Sequence, residues 1–399
     1  MRLSTLSQAA VAAITVVVAA TACGSTDSGS GNNAGTPGAG QTQAVIGADQ
    51  ICGKGGGSRP GYQNTIGKIA GAKSELSGAG STFVAPMMSV WTKDYSSQGV
   101  KVAYQSIGSG GGVKQIGAKT VDFGASDTPM KDSELASAKG GPIVHIPLVL
   151  GAVVPTYKVQ GVSSGLKFTG DLLGKIFAGE VTKWNDPAIA QQNQGTTLPD
   201  EPIAVVHRSD GSGTTAVFTD YLTKASPSWV SKLGGADRSK GKEVAWPTGI
   251  GGKGNEGISG QVNQTEGAIG YVELAYALAQ NLPYGLVQNK AGKFIQPCID
   301  TVAAASDGAQ FPADLRTSLT DEPGADAYPI TGTTYALVYQ NQTDKATAAA
   351  LVQFFGWVLT SGQDEAASIN YAPLGKTLQQ LSVSQLKKIT LGGQPLVRS

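Results

Sequence analysis

An excess of charge of either sign is missing from this sequence: across 399 residues Lys and Arg number 30 and Asp and Glu 29, a formal net charge of +1. No stretch gathers five or six like charges, which excludes the electrostatic footprint of a nucleic-acid binder. Histidine is scarce too. With only His145 and His207, and no close cluster of Cys and His, a catalytic transition-metal site is not expected, and both histidines read as structural or solvated. No cofactor signature takes its place. GGKGNEG from Gly251 is not a P-loop, because Gly254 follows Lys253 and the first glycine of the spacing is missing. His207 near Ser212 invites a serine-hydrolase reading, but G-x-S-x-G is absent, since Asp210 and Thr214 occupy its outer positions. An enzyme, even a phosphatase-like one, is therefore the weaker reading. The apolar stretch from about Ala9 to Ala22 is also too short for a comfortable membrane span.

The length exceeds what one ordinary core requires, so two domains are expected. Arg2, the short apolar stretch and the small residues Thr21 and Ala22 before Cys23 read as a signal peptide over residues 1–22. Thr21-Ala22-Cys23 resembles the bacterial lipoprotein processing site, in which the cysteine becomes the lipid-bearing first residue. Ala20 departs from the usual leucine, and conventional cleavage to a free product is the alternative. Residues 24–48 are mostly Gly, Ser, Thr, Asn and Ala, too poor in large apolar side chains to fold, so 23–73 reads as a lipid-anchored flexible tether and N-terminal arm. In an exported chain Cys52 and Cys298 can form a disulfide stapling that arm to a distant part of the fold. The sequence gives no distance between them, so two unpaired cysteines is the alternative.

Glycine is abundant, at 55 residues, and much of it falls in short Gly/Ser/Thr clusters after strand-like runs. Three strand, loop, helix units share one polarity. Leu76 leads into Gly78-Ala79-Gly80-Ser81-Thr82-Phe83, with Pro86 at an early helical position and Met87, Val90 and Trp91 at helical spacing. Val100, Val102 and Tyr104 alternate as a strand, then Gly108-Ser109-Gly110-Gly111-Gly112 precedes Val113 and Ile116. Ile203 to Val206 forms an apolar strand, His207 to Thr214 the loop, and Val217, Phe218, Tyr221 and Leu222 a helix. A helix N-terminus carries unpaired N–H groups and partial positive charge, so a glycine loop feeding one suits an anion, and Ser or Thr hydroxyls add uncharged donors. Each loop alone also reads as an ordinary capped connector.

Two charges sharpen the reading. Arg208 is the only full positive charge in the three loops; its planar guanidinium can give two parallel hydrogen bonds to a tetrahedral oxyanion, with Asp210 to orient it. Asp127 closes the strand-like run Val121 to Ser126 and, as structure, is a plausible N-cap. As function, its carboxylate is an acceptor with no proton to give. Phosphate at neutral pH still carries a P–OH to donate, whereas sulfate carries none and would incur at least a few kcal/mol, roughly a hundredfold in affinity.

The ordered series GAGSTFVAPM, YQSIGSGGGVKQI, VDFGASDTPM, KWNDPAI, HRSDGSGTT, GGKGNEG, GAIGYVELAYA and DAYPITGTTY, between about Leu76 and Leu374, resembles the phosphate-binding proteins of bacterial Pst-type ABC phosphate transporters. The resemblance implies an α/β, two-lobed class II periplasmic-binding-protein fold with the ligand in the interlobe cleft. The chain would cross between lobes near Pro147 to Pro155 and Asp326 to Thr334, giving lobe 1 over 74–150 and 328–399 and lobe 2 over 151–327. Carried over by motif, the phosphate ligands are Thr82, Phe83 by its backbone N–H, Ser109, Asp127, Arg208, Ser212, Gly213 by backbone, and Thr214, with Asp210 orienting Arg208. Gly110 stands where many relatives have a second serine. The implied function is extracytoplasmic capture of inorganic phosphate by a monomer, held to the cell membrane by its lipid, and delivery to the permease and ATPase subunits of an importer. Binding of another oxyanion and a sensing role are the alternatives.

Overall fold

The computed structural model describes Tyr62, Ile66 and residues 68–397. The signal-peptide reading, Cys23, Cys52 and most of the tether lie outside the described residues. Cys298 is disulfide-bonded, and its partner lies outside them as well. No described helix is long and apolar enough to cross a membrane.

The strand Ile143–Lys158 is the spine of the molecule. Its sequence, IVHIPLVLGAVVPTYK, is buried at every position but the last, the near-continuous apolar run of a strand covered on both faces. From Ile143 to Ala152 it pairs antiparallel with Ile330–Tyr339, and from Val153 to Lys158 it pairs antiparallel with Ala268–Glu273. Two parallel groups flank this spine. On one side Lys101–Ser106, Glu75–Gly80 and Phe123–Ser126 lie parallel, the last against Ile330–Tyr339. On the other, Ala204–Arg208 lies parallel to both Ala268–Glu273 and Ile250–Gly252. All eight belong to one mixed sheet, whose ninth strand, Leu319–Thr320, pairs with Ile330–Tyr339. Proline is poorly tolerated inside a sheet, and Pro147 falls where the register slips between Thr334 and Tyr335, so a local irregularity absorbs its missing N–H.

The three strand, loop, helix units form in the order read, with shorter loops, since Gly78 to Gly80, His207 and Arg208 belong to the strands and Ser109 to Gly112, Gly213 and Thr214 to the helices: Glu75–Gly80 feeds the helix Ala85–Tyr95, Lys101–Ser106 feeds Ser109–Ala118, and Ala204–Arg208 feeds Gly213–Ala225. Ile250–Gly252 leading into the helix Gly254–Gln264 makes a fourth. In parallel groups the C-terminal strand ends point the same way, so each group presents its loops and helix N-termini at one rim.

Candidate functional site

Asp127 leaves the strand Phe123–Ser126 and is only 4 % exposed. Its Oδ1 accepts from the hydroxyls of Ser81 and Thr334, the latter at 2.7 Å. Its Oδ2 has the Ser109 hydroxyl at 3.3 Å, and Ser109 Oγ in turn accepts the Asp127 N–H at 3.2 Å. Burial pushes the carboxyl up to about 6, against the pull of the Ser81 and Thr334 hydroxyls, the Arg208 charge and Ser109. It is therefore anionic at neutral pH, with Oδ1 served twice and Oδ2 held by one long contact.

Arg208 ends its strand with its side chain 1 % exposed. Nε donates to Asp210 Oδ1 at 2.7 Å and Nη2 to Oδ2 at 2.6 Å, a bidentate fork, while Nη1 lies 3.4 Å from Thr214 Oγ1. Five guanidinium N–H groups less these three leave one on each Nη. Asp210 also accepts the Gly254 N–H at 3.0 Å. Burial raises its pKa, but the hydrogen bonds and charge of Arg208, with that N–H, hold it below the ordinary carboxylate range. The expected orienting role of Asp210 thus has its geometry.

The hydroxyls are arranged so that their hydrogens remain to be given. Thr82 Oγ1 accepts from Asn255 N–H at 3.2 Å and Asn255 Nδ2 at 2.8 Å; Thr214 Oγ1 accepts from Asn255 Nδ2 at 3.2 Å. Ser212 caps the helix Gly213–Ala225 by accepting the Thr215 N–H at 2.9 Å. An occupied lone pair leaves each O–H free to point at an anion. The Phe83 N–H is directed at Ser81 Oγ, 3.0 Å away.

These residues come from both parallel groups and meet. A Cβ on Gly213 would lie 2.4 Å from both Asp127 Oδ2 and Ser109 Oγ, so the loop after Arg208 presses its bare backbone against them. The Gly110 N–H donates to Gly211 O at 2.8 Å, and Tyr276 OH donates to Thr82 O at 2.6 Å. At the rim Lys242 pairs with Glu134 at 3.1 Å. Beside Asp127 opens a cavity of about 490 Å³, lined also by Val217, Lys242 and Thr333.

All eight expected ligand residues, with Asp210, are thus gathered in one place. Sequence reasoning did not single out Ser81, Thr334 or Asn255. Each sits inside a motif noted above, GAGSTF, DAYPITGTTY or GGKGNEG, but as a lone Ser, Thr or Asn it carries no signal beyond a turn or cap. Among the described residues no group of three or more metal-ligating side chains exists.

The family model for a PBP superfamily domain matches residues 31–361. The phosphate-binding protein PstS of Xylella fastidiosa is 45 % identical over 308 residues, 76 % of this chain and 82 % of that protein. This chain belongs to the PstS phosphate-binding protein family. The phosphate-binding protein PstS of Haemophilus influenzae is 41 % identical over 331 residues, covering 82 % of this chain and 97 % of that protein. The solved phosphate-binding protein of Stenotrophomonas maltophilia shares the fold, with a TM-score of 0.60 at 18 % identity over 78 % of this chain and 94 % of that one. The fold is thus the two-lobed α/β architecture of periplasmic binding proteins.

Proposed function

We propose that this PstS-family chain captures inorganic phosphate at the cluster around Asp127 and Arg208 and hands it to an ABC importer. The carrying observation is the pairing of one buried carboxylate, still able to accept at Oδ2, with one buried guanidinium that keeps two N–H groups to give. A protonated tetrahedral anion satisfies both; an unprotonated one leaves Asp127 facing bare negative charge. In this reading Thr82, Ser109, Ser212 and Thr214 donate hydroxyl hydrogens, Phe83 and Gly213 donate backbone N–H groups, and Asp210 holds Arg208. Lobe 1 comprises 74–150 and 328–399 and lobe 2 comprises 151–327. The partner switch between Ala152 and Val153 supports a crossing near there. Ligands from both lobes close the cleft on binding, and the closed form is what the importer recognises. The working protein is an extracytoplasmic monomer, lipid-anchored at Cys23, with Cys52 bonded to Cys298.

Calorimetric titration of the untethered domain with phosphate, sulfate and arsenate, beside a phosphatase assay, tests the reading. Tight binding of phosphate, competition by protonated arsenate, weak sulfate and no turnover are expected. Equal affinity for sulfate would overturn the role of Asp127.

A further inference from the structure

Glu273 is fully buried at the end of the strand Ala268–Glu273, and nothing described so far uses its carboxyl. Oε2 accepts the Ala275 N–H at 2.8 Å and caps the next helix. Oε1 is buried with no hydrogen-bond partner among the described residues. A Cβ on Gly151 would lie 2.7 Å from the Phe83 ring and 3.1 Å from this oxygen, so bare backbone separates the carboxyl from the site loop.

Two tyrosines beside Glu273 hold that loop. Tyr371 OH donates to Phe83 O at 2.5 Å, and Tyr276 OH donates to Thr82 O at 2.6 Å. They fix two successive peptide planes, the first of which carries the Phe83 N–H. With the Tyr371 hydrogen committed to Phe83, an ionised Oε1 would meet only the lone pairs of the Tyr371 oxygen. Two acceptors face each other unless a hydrogen lies between them. We propose that Glu273 is a positioning residue for phosphate binding: as a neutral acid its Oε1 hydrogen donates to Tyr371, which donates to Phe83 O and holds the loop in its binding shape.

This rests on the phosphate reading above. Ionisation would break the chain of donors and add negative charge near the bound anion. The titratable groups facing Glu273 are Tyr371, Tyr276 and Asp127, and behind Tyr276 stand Tyr104 and Glu256, whose Oε1 lies 3.0 Å from the Tyr276 hydroxyl. Burial pushes Glu273 up to about 8, and the Asp127 charge adds to this, against the backbone N–H groups of Ala275 and Leu274; the Tyr371 hydrogen, spent on Phe83 O, is not there to pull it back.

The test compares phosphate Kd at pH 7 and pH 9.5 by calorimetry, a span in which the dianion comes to dominate in solution for every variant. In the wild type the ratio of the two should exceed that of Glu273→Gln by about tenfold, since the amide reproduces the acid's donor but does not titrate. Tyr371→Phe should bind weakly at both pH values, with a ratio close to that of Glu273→Gln. Equal ratios in wild type and Glu273→Gln overturn the proposal. A second readout needs no ligand: the infrared difference between wild type and Glu273→Gln should contain a protonated-carboxyl C=O absorption at pH 7 that fades by pH 9.5. Its absence at pH 7 overturns the proposal whatever phosphate does. If the absorption is present but the wild type binds no phosphate, the functional reading falls, and the positioning role with it.

Discussion

Asp127 concentrates the selectivity question in one side chain. Asp127→Asn gives the site a donor where it had an acceptor, so phosphate should weaken by about tenfold or more while sulfate gains. Calorimetry with both anions checks it, and an unchanged ratio counts against the selector role. The wild type should show the same trend with acid. As pH falls through about 6 the carboxyl takes up a proton and becomes a donor, so the preference for phosphate over sulfate should shrink between pH 7.5 and 5. Arg208→Ala removes the cation and strands Asp210, and should weaken phosphate on the order of a hundredfold. Asp127 and Arg208 were legible because charge in an otherwise uncharged loop stands out. Ser81 and Thr334 were not. Both hydroxyls reach the same carboxylate oxygen, yet they are 253 positions apart, and only the sheet order that sets Ile330–Tyr339 beside Phe123–Ser126 brings them together.

At the level of elements, the site is four strand-to-helix turns, three of which the glycine clusters announced, gathered around Asp127 at the end of the strand Phe123–Ser126. Ile250–Gly252 and the helix Gly254–Gln264 went unread because a three-residue strand has too little alternation to register. The turn supplies Asn255, whose side chain reaches Thr82 and Thr214 while its Oδ1 accepts the Glu273 N–H at 3.0 Å. Gly213 shows how tightly the turns abut. Gly213→Ala would drive a methyl to within 2.4 Å of Asp127 Oδ2, so a folded variant should lose phosphate affinity by about tenfold or more, with little change in its circular dichroism. Gly110→Ser is a milder case, its Cβ lying 3.0 Å from Gly211 Cα. The continuity of the strand Ile143–Lys158 through Pro147 and Pro155 was not legible, because a proline in a strand-like run argues against a central strand.

For the molecule as a whole, Glu273 makes stability a function of pH. An ordinary carboxyl near 4.5 in the unfolded chain and one near 8 in the folded chain mean that the native state binds the proton more tightly. The contribution is fully present below pH 4.5 and is lost as pH rises through about 8. The Tm of Glu273→Gln relative to wild type should therefore climb across that window and level off above it, an advantage on the order of a few kcal/mol. Equal melting curves at pH 5 and 8.5 would contradict this. The spine strand has a consequence of its own. Ile143–Lys158 is hydrogen-bonded to Ile330–Tyr339 over its first part and to Ala268–Glu273 over the rest, so the halves of the molecule are leaves of one unbroken ribbon and can part only by flexing it. In deuterated buffer the ladder amides of those three strands should trade their hydrogens slowly with or without phosphate, while the Gly110 amide, which reaches across to Gly211, becomes slow only when the guest is aboard.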